Sequence, residues 1–353
     1  MPPSAGPAMY DERVFRARVD AALDAFLTEE TEQVVALHEA LAPVADQLRR
    51  AVAGGKRLRA AFCYWGWRAA WQPDSDAVIR AAAAMELVHA AALVHDDIID
   101  DSPTRRGEPA AHVALRAAGT GLPRDDHGTA LAILAGDMLM AWASHLFLTC
   151  GLPQAYLGRA RNLWIKLARE LVAGECLEIL NGGRPQVGRA VEIIRLKTAK
   201  YTVERPLHLG GLLGGAPRET LAAFTAYGVP LGEAFQLRDD LLGVFGDPAR
   251  TGKSNLDDLR GRKPTALLAA ALAGAGETDR KELERLLGDP GLDAGDLDAI
   301  QGIMRRAGAR DHVETMIEER AASALGAIER TRMPPDAARA LADLVAATTT
   351  RDS

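Results

Sequence analysis

Alanine and leucine recur every three or four residues along nearly the whole chain, with arginine and glutamate on the faces between them. That period is helical. Alternation of β-branched and polar residues, the mark of a half-buried strand, is nearly absent. Gly/Pro breaks fall around Gln72–Ser75, Gly119–Pro123, Gly151–Pro153, Gly182–Pro185, Gly214–Pro217, Asp247–Lys253 and Asp289–Gly291. They are spaced for helices of roughly 15 to 30 residues. No break is long or polar enough to read as an interdomain linker, and no repeat of fixed period occurs. The pattern predicts one all-α domain with short connections, spanning residues 11–347. Residues 1–10 read as a disordered N-terminus and 348–353 as a flexible tail.

Within this pattern two aspartate-rich segments stand out, about 140 residues apart. The first is LVHDDIIDDSPTRRGE, Leu93 to Glu108, and the second AFQLRDDLLGVFGD, Ala234 to Asp247. Taking Asp76 to Asp101 as one helix, Met85, His89, Ala92, Asp96 and Asp100 follow at steps of 4, 3, 4 and 4 and share a face. Asp96 and Asp100 lie one turn apart, with Asp97 and Asp101 beside them. Carboxylates at a helix C-terminus oppose the macrodipole. Set in apolar sequence they call for a cation, and hard oxygen ligands suit Mg²⁺, which bridges protein carboxylates to substrate phosphates. Arg105 and Arg106 follow Ser102-Pro103, where guanidinium groups can fork onto phosphate oxygens. The plain alternative is a solvated acidic helix end. For His89 it is a hydrogen-bonded core histidine. His95-Asp96 also spells the pair found in metal-dependent phosphohydrolases, but the further His and Asp ligands of such a site are not evident.

Composition narrows the class. Hydrophobic residues make up 48% and charged residues 25% of 353, ordinary for a globular chain. A net charge of −6 gives no basic field for nucleic acid or an anionic membrane. Cys63, Cys150 and Cys176 are odd in number and scattered, so neither a disulfide framework nor a zinc site is expected, and a cytoplasmic location is. The N-terminus does not read as a signal peptide. No uncharged apolar run reaches the length of a membrane span.

The ordered motifs resemble those of the all-trans polyprenyl diphosphate synthases. GGKRLR at Gly54–Arg59, LVHDDIID with TRRG, KTAKYT at Lys197–Thr202, FQLRDD at Phe235–Asp240 and GK…GRKPT from Gly252 to Thr265 occur in that family's order. The resemblance runs from about residue 50 to 270. It implies a single-domain isoprenoid-synthase-type helical bundle around a large central cavity, working as a homodimer. It further implies about three Mg²⁺ ions per site, two on Asp96 and Asp100 with Asp97 in support, and a third on Asp239 with Asp240 nearby. Arg105, Lys197, Thr198, Gln236, Lys253 and Lys263 would contact the allylic diphosphate. Lys56, Arg59, His89 and Arg106 would bind isopentenyl diphosphate. Each basic residue also has the reading of an ordinary surface charge; the joint pattern raises it above that.

Two departures from the family pattern are visible. Gly243 stands where the second motif's last aspartate belongs, leaving Asp247, seven residues after Asp240, as the expected substitute if the helix persists. Ala60 replaces the proline that commonly follows GGKRLR. Product length is read on the helix before the first motif. Ala91 and Ala92 leave no floor there, and the next turns offer Val88, His89 and Met85. From Asp96 to Met85 the rise is about 16 Å, room for roughly three to four isoprene units and hence a C20 product. Met138, Met140 or Trp142 on a neighbouring helix are alternative floors, and C15 or C25-and-longer products stay open. Two other classes share part of the pattern. A class I terpene cyclase uses the first motif with a second one mixing Asn, Ser and Glu, where this chain has an aspartate pair. A non-catalytic subunit of a heteromeric synthase generally lacks part of the metal and basic sets.

Overall fold

The structure, a computed structural model, describes residues 12–119, 126–181, 185–248 and 254–350. The expectations for residues 1–10, for Lys253 and for residues 351–353 lie outside them. Helices dominate, as the periodicity predicts. The first are α1 (Glu12–Leu37), α2 (Ala42–Val52), α3 (Leu58–Ala69), α4 (Asp76–Ile99), α5 (Ala111–Arg116), α6 (His127–Leu148) and α7 (Gln154–Leu180). After them come α8 (Val187–Ile194), a π-helical stretch (Arg195–Glu204), α9 (Arg205–Gly214) and α10 (Arg218–Phe245). The chain closes with α11 (Asp257–Arg260), α12 (Ala266–Gly274), α13 (Glu277–Leu286), α14 (Ala294–Arg306), α15 (Ala309–Glu329) and α16 (Pro335–Thr349). The strand structure among the described residues is one small hairpin, β1 (Thr104–Arg105) against β2 (Glu108–Pro109).

The fold is all-α, and Cα packing divides the chain into two compact units. One comprises residues up to Arg161 with Pro206–Pro217 and Met333–Ala340; the other comprises Asn162–Arg205, Arg218–Arg332 and the chain from Leu341. The boundaries at Arg161 and Ala340 fall inside α7 and α16, so no Gly/Pro break announces them.

In the first unit α4 is the central element. Ser75 caps it, its side chain accepting from the Ala77 N–H. Fourteen of its residues are buried, among them Ala81 to Val88 without interruption. α4 packs against α6, α3 and α1. Both α4 and α6 are long and apolar enough to cross a membrane, but 72% of the apolar window of α4 is buried inside the protein, against 44% for α6. In the second unit α10 packs against α15 and the π-helical stretch. Its buried Leu237, Leu241 and Val244 join Leu267, Ile300, Ile303, Val313 and Ile317 in one core.

The C-terminal end departs from expectation. α16 runs to Thr349, and Thr348 and Thr349 are buried, their hydroxyls returned to the Leu344 and Val345 carbonyls. Arg238 Nε donates to the Thr349 carbonyl at 2.8 Å. A polar threonine run reads as a tail in sequence, yet threonine packs in a helix when its hydroxyl bonds the preceding turn.

Candidate active site

The first acidic segment lies at the C-terminus of α4, whose cap residue is Asp100. The aspartates divide between faces. Asp97 is buried and forms a fork with Arg105, which donates from Nε at 2.8 Å and from Nη2 to the same oxygen. Asp96 is partly buried, with its carboxylate 3.6 Å from Arg105 Nη2. Asp100 is exposed. Asp97 therefore anchors Arg105, which sits in β1, while Asp96 and Asp100 keep the one-turn relation that lets both reach a common cation. Burial alone would lower the Arg105 guanidinium, but its paired carboxylates, Asp97 first among them, outweigh it and hold the group above its ordinary range.

Arg106 follows Arg105 with a left-handed φ of 55°. That turn sends its side chain to the loop before α3, where Nη1 donates to the Ala53 carbonyl at 2.6 Å. Arg57, at the N-terminus of α3, is buried and bonded to Asp20 at 2.7 Å, so it is no solvated surface charge. Glu86 on α4 accepts from the Ala60 N–H at 2.9 Å and ties the start of α3 to α4. The result is a cationic recess. Burial, with Arg59, Arg106, Arg105 and Arg57 around it, pushes the His89 imidazole well below its usual range, so His89 is neutral near pH 7. Burial and the neighbouring guanidinium groups also lower Arg106. Like charges held this close leave a positive field suited to an anion. Lys56 is exposed beside the recess. A cavity of about 420 Å³ opens nearby, lined by Arg50, Val94, Asp97, Arg105, Arg106 and Ala110.

Below Asp96, Ala92 is partly buried, and Ala91, Val88 and Met85 are buried, all on α4. On α6 Trp142 is buried, packed edge-on against Phe26 at 6.3 Å between ring centroids. Met138 is 37% exposed and so is poorly placed to act as the floor of an internal cavity.

In the second unit the KTAKYT motif lies in the π-helical stretch. π turns are rare and recur at functional sites. Here two flanking helices press directly on its backbone. A Cβ on Gly174 of α7 would stand 2.4 Å from Lys197 N, and one on Gly232 of α10 would stand 2.3 Å from Ala199 Cα. The missing side chains are what let the backbones meet. Lys197 Nζ bridges Glu175 at 2.8 Å and Glu178, and Lys263 lies 3.9 Å from Glu178. Thr198 donates to Gln236 Oε1, and Gln236 Nε2 donates to Asp240 Oδ1, each at 2.9 Å. Of the residues drawn from separate motifs, Lys197 and Lys263 thus meet at Glu178, while Thr198, Gln236 and Asp240 form a direct hydrogen-bonded chain. Sequence reasoning missed Glu175 and Glu178; two acids one turn apart in the GECLE run of α7 were the available signal.

Asp239 is exposed and Asp240 buried on α10. Burial first, then Asp258 and Asp239, pushes the Asp240 carboxyl up to about 7. The expectation for Asp247 required the helix to persist, but α10 ends at Phe245 and Asp247 lies beyond it, exposed. Its place on the helical face is therefore lost. Among the described residues no three His, Cys, Asp or Glu side chains close around one metal point. Mg²⁺ needs no such cluster, since it takes one or two carboxylates and completes its shell with waters and substrate phosphates. The donor set is all oxygen, and a nearby cation would relieve the strain of burying Asp240.

Comparison with known proteins agrees with these observations. The family model described as polyprenyl synthetase matches residues 42–304. A (2E,6E)-farnesyl diphosphate synthase of Mycobacterium bovis is 31% identical over 82% of this chain and 78% of the relative. A geranylgeranyl diphosphate synthase of Mycobacterium tuberculosis is 33% identical over 83% of this chain and 80% of the relative. Among solved structures, geranylgeranyl pyrophosphate synthase from Corynebacterium glutamicum, complexed with isoprenyl diphosphate and magnesium, superposes with a TM-score of 0.90. It is 35% identical, over 96% of this chain and 99% of that one.

Proposed function

This chain belongs to the polyprenyl synthetase family and is a prenyl-transferring enzyme, and from that premise we propose that it condenses isopentenyl diphosphate with an allylic diphosphate to give a longer all-trans prenyl diphosphate. The observation that carries this reading is the cationic recess around the neutral His89, built by Arg57, Arg59, Arg105 and Arg106 at the acidic end of α4. A positive recess takes the diphosphate of isopentenyl diphosphate, with Lys56, Arg59, His89 and Arg106 as its contacts. The acidic face beside it, Asp96 and Asp100, holds Mg²⁺. On α10 Asp239 and Asp240 do the same. Bound Mg²⁺ supplies electrostatic stabilisation of negative charge on the departing diphosphate.

The chain's own residues support the reaction by position and charge. Arg105, Lys197, Thr198, Gln236, Lys253 and Lys263 are assigned to the allylic diphosphate. As its carbon–oxygen bond breaks, the bonding pair leaves with the diphosphate, and positive charge aimed there lowers the barrier. The double bond of isopentenyl diphosphate then forms the new carbon–carbon bond, and loss of one proton restores a double bond. The released diphosphate accepts that proton, so the reading needs no general base. The pinned side chains bear on the first step: Arg105 on Asp97 and Lys197 on Glu175 need little reordering when substrate binds.

The proposed product is C20, geranylgeranyl diphosphate, with Met85 as the floor under the small residues Ala91 and Ala92. Relatives of nearly equal identity make farnesyl and geranylgeranyl products, so the length is argued from this chain's own residues. A homodimer is proposed too. α6 leaves more than half of its apolar window uncovered and exposes Ile133, Leu134 and Met138, a surface that a second copy would bury. Cys63 and Cys150 are buried thiols, in keeping with a reducing compartment such as the cytoplasm.

Incubation of the purified single chain with isopentenyl diphosphate, each allylic primer and Mg²⁺, followed by mass analysis, tests the whole reading. Consumption of isopentenyl diphosphate with a C20 product is expected. Cyclised hydrocarbon without isopentenyl consumption would point to a terpene cyclase, and inactivity of the single chain to a subunit of a heteromer.

A further inference from the structure

The cavity of about 420 Å³ beside the cationic recess has no part in the reaction as assigned. It is bounded by α2, α4, α5 and the β hairpin. On α4 it touches Ala90, Leu93 and Asp97, each one residue past His89, Ala92 and Asp96. That face lies about 100° round the helix from the acidic face. Lys56, Arg59 and His89 are not among the lining residues.

Two polar side chains of α2 face this space. Gln47 is only 8% exposed, and Arg50 stands one turn further on, exposed at the mouth. Among the described residues neither side chain has a hydrogen-bond or ion-pair partner. Arg49, by contrast, turns to α1, where Nε donates to Thr31 Oγ1 at 3.0 Å and Nη1 lies 3.7 Å from Asp24. Burying an amide without a partner destabilises the fold, and a ligand that bonds Gln47 would offset that. The charges set the ligand's sign. Arg105 is tied to Asp97, which leaves Arg50 and Arg106 against the exposed Glu108, an excess of one positive charge. The rest of the wall is hydrocarbon, with Ala90, Val94 and Ala111 buried. An anionic head on a short apolar stem matches this lining. From Ala90 to Asp97 the α4 wall rises about 10 Å, room for about two isoprene units.

Arg106 joins the cavity to the recess. Its guanidinium lies on the glycine loop before α3, where a Cβ on Gly55 would stand 3.3 Å from Nη2, and its Nη1 holds the Ala53 carbonyl. Ala53 and Arg106 both line the cavity. We propose that this cavity binds a short prenyl phosphate as a regulatory ligand, its head on Arg50 and Gln47 and its stem along Ala90 and Val94, and that occupancy draws Arg106 from the Ala53 carbonyl and weakens isopentenyl diphosphate binding. The regulatory effect rests on the assignment of Arg106 to isopentenyl diphosphate; the binding site does not.

Calorimetric titration of the full chain with geranyl monophosphate tests the site. Wild type should show a second site beside the active one. Arg50→Ala, at an exposed position, should weaken that second site at least about tenfold, and adding Gln47→Leu should abolish it. Arg49→Ala removes the same charge one residue away and should keep it. All three variants should condense substrates with kcat and KM within about twofold of wild type. At saturating allylic primer, geranyl monophosphate should raise the KM for isopentenyl diphosphate several-fold in wild type but not in the double variant. A double variant that binds and responds like wild type overturns the inference. So does a second site that takes inorganic phosphate as tightly as the prenyl phosphate, since the stem would then contribute nothing. An inactive chain that still shows the Arg50-dependent site overturns the proposed reaction and supports the site.

Discussion

Replacing Asp240 by asparagine isolates the cost of a buried carboxylate. In the unfolded chain this group titrates near 3.8; in the folded protein burial, Asp258 and Asp239 raise it to about 7. A raised acid binds its proton more tightly when folded, so folding takes up a proton between these values. Stability conferred by the wild-type residue falls as pH rises through that window and is flat above it. Each pKa step is worth about 1.4 kcal/mol, so the penalty is on the order of 2 kcal/mol at pH 5 and on the order of 4 kcal/mol at pH 8. Asparagine has the same shape, its carbonyl can accept from Gln236 Nε2 as the carboxylate does, and it carries no charge. Asp240→Asn should therefore match wild type at low pH and exceed it increasingly up to pH 7. The assay is urea denaturation of both proteins without divalent metal at several values between pH 5 and 8. Mg²⁺ with inorganic diphosphate should then narrow the gap at pH 8 by stabilising the wild type. Parallel stability curves from pH 5 to 8 would refute the reasoning, because a carboxylate with an ordinary pKa imposes no such dependence.

Asp96→Ala should reduce turnover in Mg²⁺ at least about a hundredfold with an unchanged circular dichroism spectrum; near-normal rates would remove Asp96 from the metal site. Met85→Ala should lengthen the product seen by mass analysis, whereas an unchanged product with Trp142→Ala lengthening it would move the floor to α6. Gly232→Ala should destabilise the protein by about 1–3 kcal/mol, because the new methyl meets Ala199 Cα at 2.3 Å; an unshifted melting temperature would mean that the contact relaxes freely.

Helix positions were legible because apolar spacing and Gly/Pro punctuation both act within a few residues. The breaks at Gln72–Ser75, Gly151–Pro153 and Gly214–Pro217 each separate consecutive helices. The α4 face was legible for the same reason. Asp97 was harder: neighbouring positions on a helix point about 100° apart, and only the structure shows that Asp97 turns to Arg105. Asp258, which helps to raise Asp240, lay beyond the reach of periodicity, on a different helix. The π-helical stretch was invisible too, since KTAKYT carries no composition that separates a π turn from an α turn. Its signal sat in its neighbours, in the glycines of α7 and α10.

That stretch has a consequence for sequence change. A π turn takes one more residue than an α turn, so every side chain after it is rotated relative to an uninterrupted α-helix. Lys197 and Thr198 lie near the start of the stretch, and α9 inherits whatever phase it ends on. Substitutions here leave that phase alone, because the glycine contacts grip the backbone. Loss or gain of a single residue would reset it for the rest of the helix, carrying Arg205 away from Glu170, which it now meets at 2.6 Å. Chimeras with relatives should therefore tolerate exchanged residue types between Arg195 and Glu204 far better than a changed number of them.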